Sequence, residues 1–370
     1  MSKYFLLPSI GTACLLLMLS QTAGAQIVFS DSFDDGQAST RWSAPLETIE
    51  FSTSDWTLDY AFDYSQIQNP FAGNAPIPSA PNSTGGSTIG VYMTANNTEQ
   101  TTGDEGEAIG IVSNFALPSG DFSITADLFL FWNGGGGSTE YSIFGANHDG
   151  SNNVPFPFNV NAGSGIAWAA DSDGDSGTDL YRFEEGIGQT GLGGYEAIPS
   201  GSIPNVPTGS PAPVGIYSQW VEVQIEVVDG NAAFSINGYL IDTVASAFTG
   251  GGVLLGHADY FNSVNNAIGG FTNGSIWDNI VVTELGAAVA GDFNGDGKVD
   301  NGDLNLLLGN WGLATVPPEW TNGFDTPVDN GELNALLGNW GFGVGVAVPE
   351  PSAALLFVTG LVAAAARRRS

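Results

Sequence analysis

The stretch from Gln219 to Val244, QWVEVQIEVVDGNAAFSINGYLIDTV, limits what this chain can fold into more than any other. Trp220, Val221, Val223, Ile225 and Val227 run close to a period of two, which places apolar side chains on one face of a strand. Asp229-Gly230 supplies two residues that tolerate positive φ, the requirement of a tight hairpin turn. The chain then runs back through AAFSINGYLI with a second turn at Asn237-Gly238. Strand, turn, strand, turn and strand in 26 residues leave no room for a helix and predict an antiparallel meander. Similar alternation runs from Phe122 to Trp132 (DFSITADLFLFW), and strands open the region at IVFSDSF and close it at SIWDNIVVTEL. No amphipathic helical pattern interrupts the region from Gln26 to Gly286.

Composition agrees with a packed β protein. Hydrophobic residues make up 42% and aromatics 11%, enough to build a core despite the charge, and 52 glycines suit short strands joined by tight turns. The one cysteine, Cys14, lies in the N-terminal apolar run, so a processed chain has no disulfide and depends on its core and on bound metal. Seven Lys and Arg face 39 Asp and Glu. With Lys3, Arg367, Arg368 and Arg369 at the ends set aside, only Arg41, Arg182 and Lys298 remain. Such a body does not bind nucleic acid through phosphate neutralisation and is repelled by anionic lipid, but it suits divalent cations.

The two ends read as addresses. MSKYFLLPSIGTACLLLMLSQTAGAQ combines a lysine, an apolar run and the small-x-small pattern of Ala23 and Ala25, so residues 1–25 read as a signal peptide cleaved after Ala25. At the other end, residues 348–370 carry Pro349-Glu350-Pro351, an apolar run from Ala353 to Ala366 and three arginines. As a helix that run spans about 21 Å, short of a hydrocarbon core of about 30 Å unless flanking residues add to it. Motif, apolar helix and basic tail together resemble the PEP-CTERM sorting signal. The resemblance implies an exosortase-type processing enzyme, a transient membrane anchor through a short transmembrane helix, and a destination at the cell surface or in the extracellular matrix.

The middle region, residues 26–286, begins with SDSFDDG…RW, contains the meander and ends with IWDNIVVTE. In that order the three resemble the concanavalin A-like lectin/glucanase family. The resemblance implies a mainly β fold, a two-sheet jelly-roll sandwich whose first and last strands pair. Glucanases of that superfamily carry Glu-x-Asp-x-x-Glu, or a form one residue shorter, on one strand. Here Glu222 and Glu226 frame Gln224, and period two turns all three to solvent. Glu105 and Glu107 have no third partner, and Glu184-Glu185 lies beside a loop. His148 and His257 read as isolated residues in Gly/Asn-rich loops, and no Ser-His-Asp set is visible. No catalytic residue is assigned, and the expectation is a non-enzymatic module that binds polysaccharide or matrix glycan; the alternative is a polysaccharide hydrolase with an unrecognised site. The segments FLFWNGGGGSTEY and GANHDGSNN have the Asn, Asp and aromatic content of sugar-binding loops, although Trp132 itself reads as core. A further candidate metal loop is DSDGDSGTD, where Asp171, Asp173, Asp175 and Asp179 could wrap a cation.

After a linker at 287–290, residues 291–345 contain a duplication: VDNGDLNLLLGNWG from Val299 and VDNGELNALLGNWG from Val328, identical at twelve of 14 positions. The first copy satisfies EF-type loop arithmetic for Ca²⁺, with Asp292, Asn294 and Asp296 at positions 1, 3 and 5, Gly297 at 6, the Lys298 carbonyl at 7, Asp300 at 9 and Asp303 at 12. In the second copy Thr321 and Gly323 replace two ligands, so Asp325, Asp329 and Glu332 make a weak second site. Each loop precedes a predicted helix with an apolar stripe, Leu304, Leu307, Leu308 and Trp311 in one and Leu333, Leu336, Leu337 and Trp340 in the other, expected to bury against each other. This loop–helix pair resembles the type I dockerin domain, which implies Ca²⁺ and a cohesin-like partner. The Ser/Thr pair of dockerin recognition is replaced by Asn301-Gly302 and Asn330-Gly331, and Leu306 is the remaining side chain expected to face a partner.

Overall fold

The computed structural model describes residues 25–50, 54–97, 106–132, 139–151, 153–158, 163–172, 177–199, 201–203, 215–260, 271–285, 289–294, 298–315 and 327–341. The chain divides after Leu285, and Ala25–Leu285 forms a compact unit of its own.

That unit is built from strands β1 (Gln26–Asp31), β2 (Leu46–Glu50), β3 (Thr57–Asp63), β4 (Gln68–Asn69), β5 (Ala75–Pro76) and β6 (Ile89–Thr94). There follow β7 (Gly106–Val112), β8 (Phe122–Phe131), β9 (Glu140–His148), β10 (Ile166–Asp171), β11 (Leu180–Glu184) and β12 (Gly188–Gly193). The last are β13 (Trp220–Val228), β14 (Asn231–Ile236), β15 (Tyr239–Ala245), β16 (Gly252–Asp259) and β17 (Gly274–Glu284). One helical turn, α1 (Ala38–Arg41), and short 3₁₀ turns are the remaining regular elements described there.

Two large sheets result. The first runs β15-β14-β13-β8-β17-β6-β3, with β1 also on β17; the second runs β12-β11-β10-β9-β16-β7-β2, and every pairing is antiparallel. The meander is β13, β14 and β15, and both its turns have positive φ at Asp229, Gly230, Asn237 and Gly238. The first and last strands pair, Gln26 opposite Glu284, which is how the sandwich closes on itself.

The core lies between the sheets. Ile109, Ile111, Phe144 and Leu255 of the second sheet meet Ile124, Leu128, Val223, Ile225 and Val282 of the first. Trp277 stacks on Phe144 at 5.7 Å, and Trp168 on Phe234 at 5.3 Å. The outer faces are covered as well. Val154 and Phe156 overlie the second sheet, in one cluster with Leu46 of β2, and Tyr64, Ile67 and Ile77 overlie the first. Strands covered on both faces stay apolar at successive residues. The alternation of β8 accordingly ends at Ala126, and Asp127–Phe131 are all buried.

A second unit includes the described residues from Val289 onward. Its helices, α2 (Asn301–Gly309) and α3 (Asn330–Gly338), stand 29 residues apart, as the duplication requires. The two copies exchange backbone bonds: Gly312 N–H donates to the Val328 carbonyl at 2.8 Å, and Gly341 N–H to the Val299 carbonyl at 2.9 Å. Phe293, Val299, Leu307, Val328 and Leu336 form the core, with Leu304, Leu306 and Leu333 against it. The expected apolar stripe is thereby corrected. Leu308, Trp311, Leu337 and Trp340 are exposed, and Leu306, expected to face outward, packs inward. The cause is at the helix start. Asp300 and Asp303 form a capping box, repeated by Asp329 and Glu332, which draws the third helical residue into the core and turns each helix on its axis.

The signal peptide with Ala23, the sorting motif Pro349-Glu350-Pro351 and the run Ala353–Ala366 lie outside the described residues. No described helix is long and apolar enough to cross a membrane.

Candidate functional site

A cleft of 460 Å³ opens where β7, β9 and β16 meet the loop before β16. Its floor is Asn147, the penultimate residue of β9, which is 5% exposed and has φ 61°. Asn is among the side chains that enter this left-handed region at low cost. The turn 249–252 packs against it so closely that a Cβ on Gly251 would collide with the Asn147 carbonyl. The register of β9 and β16 shifts between Gly252 and Leu254 at the same place. The Asn147 amide Nδ2 donates to the Phe248 carbonyl at 2.9 Å, while its Oδ1, shielded from solvent, accepts from nothing among the described residues.

Polar groups ring this floor. Asp149 accepts from Ser151 N–H and the Ser164 hydroxyl, both at 2.8 Å, and bonds to Ser151 and Ser164 hold its carboxyl at about 2. Glu185 accepts the Gly165 N–H at 3.0 Å. His148 has both ring nitrogens engaged: Nδ1 accepts from Gly150 N–H at 3.1 Å, and Nε2 donates to the Asn153 carbonyl at 3.2 Å. Burial lowers its pKa, so the ring is neutral and structural. Phe115, stacked on Phe29 at 5.2 Å, and Phe248 add apolar edges.

Among the described residues no Lys or Arg lines the cleft. The two cations of the sandwich are each paired with two carboxylates. Arg41 pairs with Asp31 at 2.7 Å and Asp35 at 2.8 Å, and Arg182 with Glu184 and Asp242, both at 2.8 Å.

The residues singled out in the sequence are distributed as follows. GANHDGSNN does supply the cleft, through Asn147, His148, Asp149 and Gly150. Both histidines are corrected from loop to strand: His148 ends β9, and His257 lies inside β16, wholly buried. His257 Nδ1 meets the Ser275 hydroxyl at 2.9 Å, and burial lowers its pKa to about 3. Trp132 is core, stacked on Phe71 at 5.5 Å. Glu222, Gln224 and Glu226 lie on the outward face, opposite the buried Val221, Val223 and Ile225. Glu184 is taken by Arg182. Asp171 and Asp179 are fully buried at the two ends of their loop, while Asp173 and Asp175 lie outside the described residues.

In the C-terminal unit Asp292 and Asp303 are fully buried, while Asn294 and Lys298 are exposed; Asp296 lies outside the described residues. Asp303 spends its oxygens on N–H groups of Phe293, Asn294 and Asp300, at 2.7, 3.2 and 2.9 Å. Asp300 caps α2 through Gly302 N–H at 2.7 Å. In the second copy Glu332 accepts the Asp329 N–H at 2.8 Å, and Asp325 lies outside the described residues. Two buried carboxylates in a unit whose one described cation, Lys298, is exposed suit a divalent ion. Among the described residues no group of three His, Cys, Asp or Glu is placed to hold a metal.

One constellation escaped the sequence reading. On the outer face of the first sheet, Glu222, Asp127 and Asp278 stand opposite one another on β13, β8 and β17. Asn279 joins two of them, its Nδ2 donating to Asp127 at 2.9 Å and its N–H to Asp278 at 2.7 Å. Burial, aided by the Asp127 charge, pushes the Asp278 carboxyl up to about 7. Register alone brings these residues together, and a single sequence does not carry register.

Residues 347–369 match the PEP-CTERM protein-sorting motif, which implies export and surface sorting. No curated protein matches the chain. Among solved structures, the carbohydrate binding module CBM66 from Bacillus subtilis aligns at TM-score 0.29 and 11% identity, over 53% of this chain and 92% of its own. A galectin-like protein of unknown function from Bacillus subtilis aligns at 0.32 and 8%, over 69% and 94%. The Bacillus licheniformis β-glucanase aligns at 0.32 and 11%, over 71% and 100%. Scores of this size carry no functional inference.

Proposed function

We propose that this is an exported, surface-sorted, non-enzymatic protein that holds a glycan of the cell surface or matrix in the Asn147 cleft. The observation that carries the reading is the cleft itself, where the polar side chains of Asp149, Glu185 and Thr249 stand beside the apolar edges of Phe115 and Phe248. Phe115 and Phe248 would meet the C–H face of a sugar ring. The sorting motif supports a location at the envelope, with an exosortase-type enzyme as processing partner. Isothermal titration against a polysaccharide panel tests the reading. Binding lost in Asp149→Asn supports it, and binding that survives with the cleft blocked by Gly250→Trp puts the ligand elsewhere.

A Ca²⁺-stabilised, dockerin-like C-terminal unit belongs to the same reading. Asp292, Asn294, Asp296, Asp300 and Asp303, with the Lys298 carbonyl, would hold the ion, which supplies structural charge compensation and no chemistry.

A second reading, a polysaccharide hydrolase, has one observation in its favour: the Asp127 and Asp278 pair, with Asp278 still protonated up to about pH 7 and so able to donate. Reducing ends released from a polysaccharide, with the release abolished in Asp278→Asn, would establish it over the binding reading.

A further inference from the structure

We propose that the two leucine–tryptophan pairs left exposed on the C-terminal unit, Leu308 with Trp311 and Leu337 with Trp340, dock that unit on the surface of the bilayer that the apolar run 353–366 enters. The inference rests on the reading of that run as a membrane anchor and adds a lipid-binding surface outside it.

The exposure is built into the fold. Eleven large apolar side chains are exposed among the described residues, and five of them lie in this small unit: Leu308, Trp311, Leu313, Leu337 and Trp340, at 44% to 58%. The capping boxes at Asp300 and Asp329 turn Leu307 and Leu336 into the core and Leu308 and Leu337 out of it. Each tryptophan follows its leucine by three residues, a spacing that sets the two side by side on a helical turn. Trp340 N–H donates to the Leu337 carbonyl at 3.5 Å, which carries that turn past the end of α3. The two copies differ at Asp303 against Glu332 and at Leu306 against Ala335. Asp303, Glu332 and Leu306 all face inward, so the outward pairs are the same in both copies.

Symmetry presents the pairs together. The backbone exchange between copies is reciprocal, Gly312 to Val328 and Gly341 to Val299, which is the mark of a local twofold axis. Points related by a twofold axis stand at equal height along it. One flat surface across the axis therefore meets both pairs at once, whereas a partner with a single pocket meets one.

The sequence puts a bilayer within reach. Residues 342–352 join Gly341 to the apolar run, and eleven residues span at most about 40 Å however they are arranged. An inserted run thus holds the unit beside lipid at high effective concentration. The run spans about 21 Å against a hydrocarbon core of about 30 Å, and a short span is accommodated by thinning and by contacts from flanking residues. Tryptophan is the side chain that settles where hydrocarbon meets water. Lys298 is the one described cation of the unit, so the contact is apolar and not with lipid phosphate. Asp300 and Asp329 start the helices, and Leu308 and Leu337 lie eight residues on, about 12 Å along each axis. Carboxylates at that distance leave the surface fitted to zwitterionic lipid and repelled by anionic lipid. A second copy of the chain, at a formal net charge of −32, would bring like charge and no tether.

The full chain, reconstituted with vesicles of phosphatidylcholine brominated near the headgroup end of its acyl chains, tests this by tryptophan emission. None of the chain's nine tryptophans lies beyond Trp340, so the anchor itself gives no signal. For chain that floats with the vesicles, bromine should lower the emission by about a fifth, the share of two tryptophans in nine. Trp311→Phe with Trp340→Phe should remove most of that loss. Leu308→Glu with Leu337→Glu should abolish it too, with flotation and melting temperature unchanged. Added phosphatidylglycerol should weaken the quenching, and salt should restore it. Chain that floats without being quenched overturns the inference in favour of a protein partner and leaves the anchor reading standing. Quenching unchanged in either double variant overturns it by placing the lipid contact elsewhere on the chain. Chain that does not float overturns the anchor reading and the inference together.

Discussion

Asp127 on β8 lies directly across from Asp278 on β17, and one residue, Asn279, donates to both carboxylates. Asn279 does so from a positive φ of 51°, at the point where the register of β8 and β17 shifts. A bulge of this kind re-aims side chains. Here it brings two acidic groups under the segment that carries Tyr64, Asn82 and Ser83, all hydrogen-bonded to the pair.

The pair sets a pH dependence. In the fold Asp278 stays protonated up to about 7, whereas in the unfolded chain it ionises near 3.8. Between those values the folded chain binds more protons, so stability falls as pH rises from about 4 to about 7. Asp278→Asn should flatten that part of the melting temperature profile, since Tyr64 retains the Ser87 carbonyl as an acceptor. A profile as steep as the parent's would place the titration at another residue, Glu107 first, which burial raises to about 8.

The turning of the C-terminal helices predicts a contrast between neighbours. Leu307 is fully buried and Leu308 is 58% exposed. Leu307→Ala should lower the stability of that unit by roughly 3 kcal/mol, and Leu308→Ala by less than about 0.5 kcal/mol. Denaturant titrations that give equal losses would restore the stripe expected from the sequence.

Calcium removal gives a third outcome. EGTA should lower the melting temperature of the C-terminal unit, and Asp292→Ala combined with Asp296→Ala should remove the difference. A double variant that still answers Ca²⁺ as the parent does would move the ion to another place, the loop between Asp171 and Asp179 being the next to examine.

Gly251 gives the fourth. Its Cβ would strike the Asn147 backbone, so Gly251→Ala must displace either the 249–252 turn or the cleft floor. The expected cost is about 1–3 kcal/mol, with glycan binding lost together with stability. Gly250→Ala is the control for local strain, because its φ is positive at 84° but a Cβ there meets nothing within 4 Å.

How far the fold could be read in advance depended on local signals. The turns at Asp229-Gly230 and Asn237-Gly238 declare their positive φ in their residue types, and the meander formed as they specify. His257 misled because Gly256-His257-Ala258 resembles a loop; it belongs to a strand covered on both faces, where small residues allow close packing and alternation is absent. One edge of the cleft was visible in GANHDGSNN. Glu185 and Gly251 were not, since they reach Asn147 across sequence separations that only the sheet order closes. Leu308 was misplaced because periodicity ignores the helix start, where Asp303 is pulled inward by three N–H groups.

The pairing of β1 with β17 bears on how the sandwich withstands force. If the protein is held through its C-terminal side and grips a glycan, as proposed, it is loaded along its own chain, and tension enters the sandwich at Glu284. β17 is no edge strand: β8 flanks it on one side, and β6 and β1 on the other. Its ladder bonds lie across the direction of pull. Drawing it out requires many of them to shear together, whereas a strand at the sheet margin would peel one bond at a time.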